Sequence, residues 1–198
     1  MQPPLVHIGY HKTGTTWLQQ ALFERAEFGF RPPGGTSKRL GWKFVHDRAG
    51  GLMSPFEQRS AEVRAALAEI QGDGVPVVSN ERLSGNPHAG GFDAPLIANR
   101  ICAAMPEARV LILIREKCSM IASCYFQYLK RGGVHSIDQY LEPRYDGAVP
   151  KFSAHVFRYD LLIRHYHELF GRDRVLVLPY EQFVSEPSIF LERICRFA

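Results

Sequence analysis

The chain has 198 residues, 45% of them hydrophobic, which is enough to bury the core of one domain, expected to span 1–198. Its net charge of +4 suits an anionic ligand and is too weak to indicate a nucleic acid as partner. The sequence contains no apolar run of membrane-spanning length and no signal-peptide pattern. Its four cysteines lack disulfide-framework or zinc-site spacing, so we expect a cytoplasmic protein.

Strand and helix patterns alternate along the chain. Apolar runs without polar alternation predict strands buried on both faces of a parallel sheet, at 4–8, 75–79, 109–114 and 174–178. Helical periodicity is found at 15–26, 56–71, 93–104, 117–131 and 153–170, and Asp93 is a candidate N-cap. This order predicts a three-layer α/β domain with a central parallel sheet flanked by helices. Two stretches rich in Gly and Pro, 29–41 and 84–92, are predicted loops that either shape a substrate site or only connect elements.

The most informative segment is Gly-Tyr-His-Lys-Thr-Gly-Thr-Thr-Trp at 9–17, between the first predicted strand and the first predicted helix. A glycine-bounded loop in this place is typical of a P-loop, whose backbone N–H groups bind phosphate. The lysine that normally follows the second glycine is replaced by Thr15, and the only lysine in the loop is Lys12. The sequence therefore predicts a P-loop-like phosphate site with a chemistry other than ATP hydrolysis.

A second basic residue follows a neighbouring predicted strand, where 109–114 ends in Arg115. A P-loop kinase needs an acidic residue near such a strand end to hold Mg²⁺, whereas an arginine favours a second phosphate, so no metal is expected. The carboxyl ends of parallel strands share one edge, so one ligand with two anionic groups can contact both segments. Ser123, eight residues further on, is a candidate hydroxyl donor to the same anion.

With both motifs in place, the sequence resembles the sulfotransferases that use 3′-phosphoadenosine 5′-phosphosulfate (PAPS). The donor loop of that family, P-K-[ST]-G-T-T-W, is similar to 11–17, and its strand ending in Arg with a Ser eight residues later is matched by Arg115 and Ser123. Its strand followed by Tyr-Glu is similar to 175–183. The resemblance implies transfer of a sulfuryl group from PAPS to a hydroxyl or amine of a small-molecule or carbohydrate acceptor.

The resemblance also implies roles for individual residues. Lys12 would be catalytic, at the bridging oxygen of the donor. The expected donor-binding residues are His11, Thr13, Gly14, Thr15, Thr16, Trp17, Arg115 and Ser123. In this set the loop cradles the 5′-phosphate, Trp17 stacks on adenine, and Arg115 and Ser123 hold the 3′-phosphate. His11 stands where the family has proline, and the family's later glycine-rich basic segment is not found, so the chain is expected to lack it.

The family often carries a His or Glu just after its second strand, and Glu81 follows the predicted strand 75–79. Glu81 is therefore the candidate base for the acceptor hydroxyl. The alternative is an ion pair with Arg82 or another loop charge, and His88 is the reserve candidate for the base.

Several features remain open between two interpretations. The aromatic run Tyr125, Phe126 and Tyr128 either belongs to the core, which we favour, or flanks a substrate. A basic region is either a solvated surface or a site for an acidic glycan; it comprises Arg31, Lys38, Arg39, Lys43 and Arg48. Two other functions also remain: a P-loop small-molecule kinase, which would bind Mg-ATP, and a non-catalytic nucleotide-binding module. The acceptor and the oligomeric state are not predicted.

Overall fold

The computed structural model describes residues 2–45, 56–70, 72–142 and 153–198. Its strands form one parallel sheet in the order β2-β3-β1-β4-β5. The strands are β1 (Leu5–Gly9), β2 (Phe30–Arg31), β3 (Val75–Ser79), β4 (Arg109–Ile114) and β5 (Val175–Pro179).

Helices connect the strands and cover the sheet. Their bounds are α1 (Thr15–Leu18), α2 (Ser37–Val45), α3 (Phe56–Ala68), α4 (Ala94–Ala104), α5 (Lys117–Lys130), α6 (Ile137–Leu141), α7 (Tyr159–Phe170), α8 (Tyr180–Ser185) and α9 (Pro187–Phe197). A π-helical segment, Gln19–Phe23, continues α1. Within the described residues, no helix is both long and apolar enough to cross a membrane.

Alternate residues of each central strand enter two separate cores. Val6 and Ile8 of β1 pack with residues of α3, α4 and α7 on one face. Leu5, on the other face, packs with residues of α1 and α9. Burial on both faces explains why the strand sequences are continuously apolar, and it confirms the predicted three-layer α/β fold.

The four predicted strands agree with the structure to within one residue at each end, and each of the five predicted helical stretches contains an observed helix. The helices α2, α6, α8 and α9 lie outside those five stretches. The interpretation of 29–41 as a loop was incomplete, because this stretch contains β2 and the start of α2. The N-cap assignment of Asp93 was wrong in detail. It precedes α4 without capping it, and its carboxylate instead accepts hydrogen bonds from Asn86 N and the Arg82 guanidinium.

Burial decides the aromatic run only in part, and the basic region is characterised by the partners of its side chains. Tyr125 and Tyr128 are half-buried against the larger core, but Phe126 is 61% exposed, so the core interpretation was wrong for Phe126. In the basic region, Lys38 pairs with Glu81, Lys43 pairs with Glu62, and Arg31 donates to the carbonyls of Ala26 and Phe30. Arg48 lies outside the described residues.

Candidate functional site

The strand register brings the predicted site residues to one edge of the sheet. Gly9, the last residue of β1, lies opposite Leu113 of β4, and His7 lies opposite Ser79 of β3. The loop that follows β1, defined here as the donor loop (residues 10–14), is therefore flanked by Arg115 on one side and Glu81 on the other.

Two residues of the donor loop have a left-handed backbone conformation. Gly14 has φ 81° at the start of α1, a conformation that glycine adopts without strain. Lys12 has φ 67°, which costs a residue with a side chain about 1–2 kcal/mol. The turn is held by the Thr13 hydroxyl, which donates to the carbonyl of Tyr10 at 2.6 Å. Lys12 is exposed to solvent, and strained backbone conformations of this kind cluster at active sites and in ligand-binding loops.

The threonines of the loop and of α1 differ in what they can offer a ligand. The Thr13 hydroxyl is already used within the loop. Thr15 is buried, and its hydroxyl has no hydrogen-bond partner among the described residues. Thr16 is exposed beside it. A buried donor without an acceptor fits an anion bound at the start of α1, where backbone N–H groups also point outward.

Arg115, which follows β4, contacts both the donor loop and the helix α5. Its guanidinium donates to the carbonyl of Lys12 at 2.9 Å and to the hydroxyl of Ser119 at 3.2 Å. It also lies over the ring of Tyr180, with 5.0 Å between Cζ and the ring centroid, in cation–π geometry. Burial raises the pKa of the Cys124 thiol on α5 to about 11, and the charges of Lys12 and Arg115 both oppose this rise. Through its two hydrogen bonds, Arg115 joins the donor loop to the first turn of α5.

Ser123 and Ser119 lie one turn apart on the same face of α5. The structure places Ser119, which sequence reasoning missed, in contact with Arg115, whereas Ser123 is half-buried one turn further along. The first turn of α5 is capped by Glu116, whose carboxylate accepts from the backbone N–H groups of Cys118 and Ser119.

Trp17, Tyr180 and Phe183 form an aromatic cluster, and the Tyr180 and Phe183 rings lie next to Gly14 of the donor loop. The Trp17 and Phe183 ring centroids are 4.9 Å apart, and Tyr180 and Phe183 are 6.0 Å apart. Trp17 is 45% exposed, so part of its ring is accessible to a ligand. Sequence reasoning missed Phe183, although its position three residues after Tyr180 on α8 places both rings on one face.

On the other side of the loop, Glu81 forms an ion pair. Lys38 Nζ is 3.0 Å from Glu81 Oε1, whereas Arg82 pairs with Asp93. Burial of Glu81 raises its pKa, but hydrogen bonds from its own backbone and from Lys38, with the charges of Lys38 and His11, lower it overall. Glu81 is thus ionised at neutral pH, and its Oε2 is buried with no hydrogen-bond partner in the described part of the chain.

His11 lies near Glu81, and His88 lies near His11. His11 Nε2 is buried and has no hydrogen-bond partner among the described residues. Burial lowers the pKa of His11 to about 4, against the opposing charge of Glu81, so the ring is neutral at pH 7. His88 Nδ1 lies 3.3 Å from the Tyr140 hydroxyl. The described residues contain no group of three His, Cys, Asp or Glu side chains arranged for a metal ion.

Comparisons with solved structures identify the fold. A sulfotransferase from Alicyclobacillus acidocaldarius superimposes with a TM-score of 0.66 at 18% identity, covering 100% of this chain and 81% of that chain. The sulfotransferase domain of the Synechococcus PCC 7002 olefin synthase gives 0.58 at 18% identity, covering 99% and 72%. The sulfotransferase domain from the curacin biosynthetic pathway gives 0.54 at 14% identity, covering 99% and 74%.

No curated protein matches the sequence. The sequence profile of the Sulfotransferase family matches residues 96–198, more than half of the chain. This match includes Arg115, Ser123 and the aromatic residues of α8. The chain belongs to the sulfotransferase family.

Proposed function

We propose that this sulfotransferase takes its sulfuryl group from PAPS and transfers it to a hydroxyl or amine of a small-molecule or carbohydrate acceptor. The observation that carries the proposal is the contact between Arg115 and the carbonyl of Lys12. This contact holds the donor loop next to the end of β4. A ligand with a 5′-phosphosulfate and a separate 3′-phosphate needs both segments within its reach.

The residues at the sheet edge fit the parts of this donor. The backbone of 11–16 and the hydroxyls of Thr15 and Thr16 cradle the 5′-phosphate at the start of α1. Arg115 holds the 3′-phosphate, with Ser123 as the hydroxyl donor on the same face of α5. Trp17 stacks on the adenine, since its exposed ring lies beside the loop.

Lys12 is proposed to act on the leaving group. The acceptor oxygen forms a bond to sulfur while the bond from sulfur to the bridging oxygen breaks, and that electron pair stays on the 5′-phosphate. The Lys12 ammonium stabilises this negative charge. The acceptor proton passes to the ionised carboxylate of Glu81, on the opposite side of the loop. Positioning and charge stabilisation supply most of the catalysis in such group transfers.

Calorimetric titration with 3′,5′-adenosine bisphosphate (PAP), the product of the donor, tests the donor site. Wild type should bind PAP without a divalent metal and prefer it to ADP and ATP. Arg115→Ala should lose about 1.5–3 kcal/mol of binding free energy, the contribution of a hydrogen bond to a charged group. Lys117→Ala, which removes an exposed charge two residues away, is the matched control and should bind as wild type does.

Two results would contradict the proposed donor. Binding of Mg-ATP in preference to PAP would favour the P-loop kinase. Equal losses in Arg115→Ala and Lys117→Ala would show that Arg115 acts only through general charge attraction, without a defined phosphate site.

A further inference from the structure

The start of α2 is held in place by hydrogen bonds with Glu24 and with Asn80, the residue that follows β3. The hydroxyl and backbone N–H of Ser37 both donate to Glu24 Oε1, each at 3.2 Å. The Asn80 side chain donates to the carbonyl of Lys38 at 3.3 Å. These contacts hold the backbone at Ser37 and Lys38, so the origin of the Lys38 side chain is fixed.

The cations of α2 point in different directions. Lys38 reaches Glu81 beside the donor loop, at 3.0 Å. Lys43 pairs with Glu62 of α3, away from the loop. The side chains of Lys38 and Glu81 are 41% and 24% exposed, so solvent screens their attraction only in part.

Within the described ranges, three ionisable groups interact with Glu81 from the elements around it. They are Lys38 on α2, His11 on the donor loop and His7 on β1. His7 and His11 are buried, and burial lowers the pKa of both rings far below 7, so they stay neutral in the working pH range. Lys38 is therefore the full positive charge in contact with the carboxylate.

We propose that Lys38 is a positioning residue, which fixes one oxygen of Glu81 at the edge of the donor loop and keeps the carboxylate ionised to receive the acceptor proton. This inference rests on the proposed role of Glu81 as base. Without Lys38, burial acts on Glu81 unopposed by the contacting cation, and protonated Glu81 cannot accept a proton from the acceptor.

The first test is a carbon-13 NMR titration of the Glu81 carboxyl, assigned by its loss in Glu81→Gln. Lys38→Met should move the titration midpoint upward by about one pH unit, the low end of the effect of a contacting opposite charge. Lys38→Arg keeps the charge and should titrate close to wild type. Lys43→Met removes a paired lysine from the same helix and is the matched control, with no shift expected.

The second test measures sulfuryl transfer from ³⁵S-labelled PAPS to 2-naphthol as probe acceptor. The acid limb of kcat/KM should move to higher pH in Lys38→Met and return in Lys38→Arg, with the affinity for PAP unchanged. A purely structural lysine would lower the rate equally at all pH values.

The outcomes separate this inference from the proposed function. If Lys38→Met moves the Glu81 titration no more than Lys43→Met does, or if the titration moves while the rate profile does not, the positioning role is overturned. Failure of wild type to bind PAP would instead overturn the proposed donor, and the NMR titration would still decide whether Lys38 controls Glu81.

Discussion

Replacing Gly41 by alanine should destabilise the protein, although the same change in a helix normally stabilises. Gly41 lies in α2, where alanine is favoured over glycine by about 1 kcal/mol. A Cβ at this position would, however, lie only 2.6 Å from the Cβ of Asn80. Both atoms are attached directly to the backbone, so no side-chain rotation relieves the clash.

The neighbouring element cannot move away easily. Asn80 is fully buried, its backbone N–H donates to the carbonyl of His7, and its side-chain oxygen accepts from Arg82 N at 2.9 Å. The cost therefore falls on α2, which must shift outward. Overpacking costs about 1–3 kcal/mol. With the gain in helix propensity subtracted, we expect a net loss of up to about 2 kcal/mol, or about 4–8 °C in Tm.

Thermal and urea denaturation of Gly41→Ala measure this loss. Arg39→Ala, on the exposed face of the same helix, is the control and should stay within about 0.5 kcal/mol of wild type. Because α2 also carries Lys38, the Glu81 titration should shift in Gly41→Ala while PAP affinity stays near wild type. An increase in stability would refute the reasoning, since helix propensity would then outweigh the contact with Asn80.

Three further predictions concern the buried strand β1 and the helix α1, on either side of the donor loop. Gly9→Ala places a Cβ 2.1 Å from Thr15 Oγ1, so it should cost about 1–3 kcal/mol in urea denaturation, and adding Thr15→Ala should recover part of this loss. Trp17→Ala should lose about 1–3 kcal/mol of PAP binding by calorimetry with almost no change in Tm; a large fall in Tm with unchanged affinity would indicate a core role instead. Burial lowers the pKa of His7 to about 3, whereas the unfolded chain titrates near 6.5, so the unfolded state binds more protons between these values. The free energy of unfolding should therefore fall as the pH drops below 6.5, by up to about 1.4 kcal/mol per pH unit for this group. The urea midpoints at pH 7.5 and 5.5 should differ less in His7→Asn than in His135→Asn, which replaces an exposed histidine and is the control.

The central sheet was predictable because its strands are apolar on both faces. The edge strand β2 was not, because two residues between Gly29 and Pro32 carry no strand pattern. Its position is set by the partner β3, where Val75 N donates to the carbonyl of Gly29 at 2.8 Å. Asp93 does not cap α4 for a similar reason. Its carboxylate accepts hydrogen bonds from residues outside the helix instead.

The parts of the site that depend only on the order of strands and helices could be predicted. Parallel strands end at one edge, so the proximity of the donor loop and Arg115 followed from the order of elements. The partner of Glu81 did not follow, because Lys38 lies 43 positions earlier and reaches it only through the packing of α2 on Asn80. The contact of Ser119 with Arg115 likewise depends on a side-chain direction that spacing alone does not define.

The most direct test of the account is the transfer of ³⁵S from labelled PAPS to hydroxyl and amine acceptors, with 2-naphthol and glucosamine as probes. Labelled product should form without added metal. Lys12→Ala should lower kcat by about 10²–10³, the loss typical of one preorganised charge contact, while Lys117→Ala should match wild type. Product formation that is unchanged in Lys12→Ala would contradict the proposed mechanism. Tight binding of PAP with no transfer to any hydroxyl or amine would contradict the assigned activity and favour a non-catalytic nucleotide-binding module.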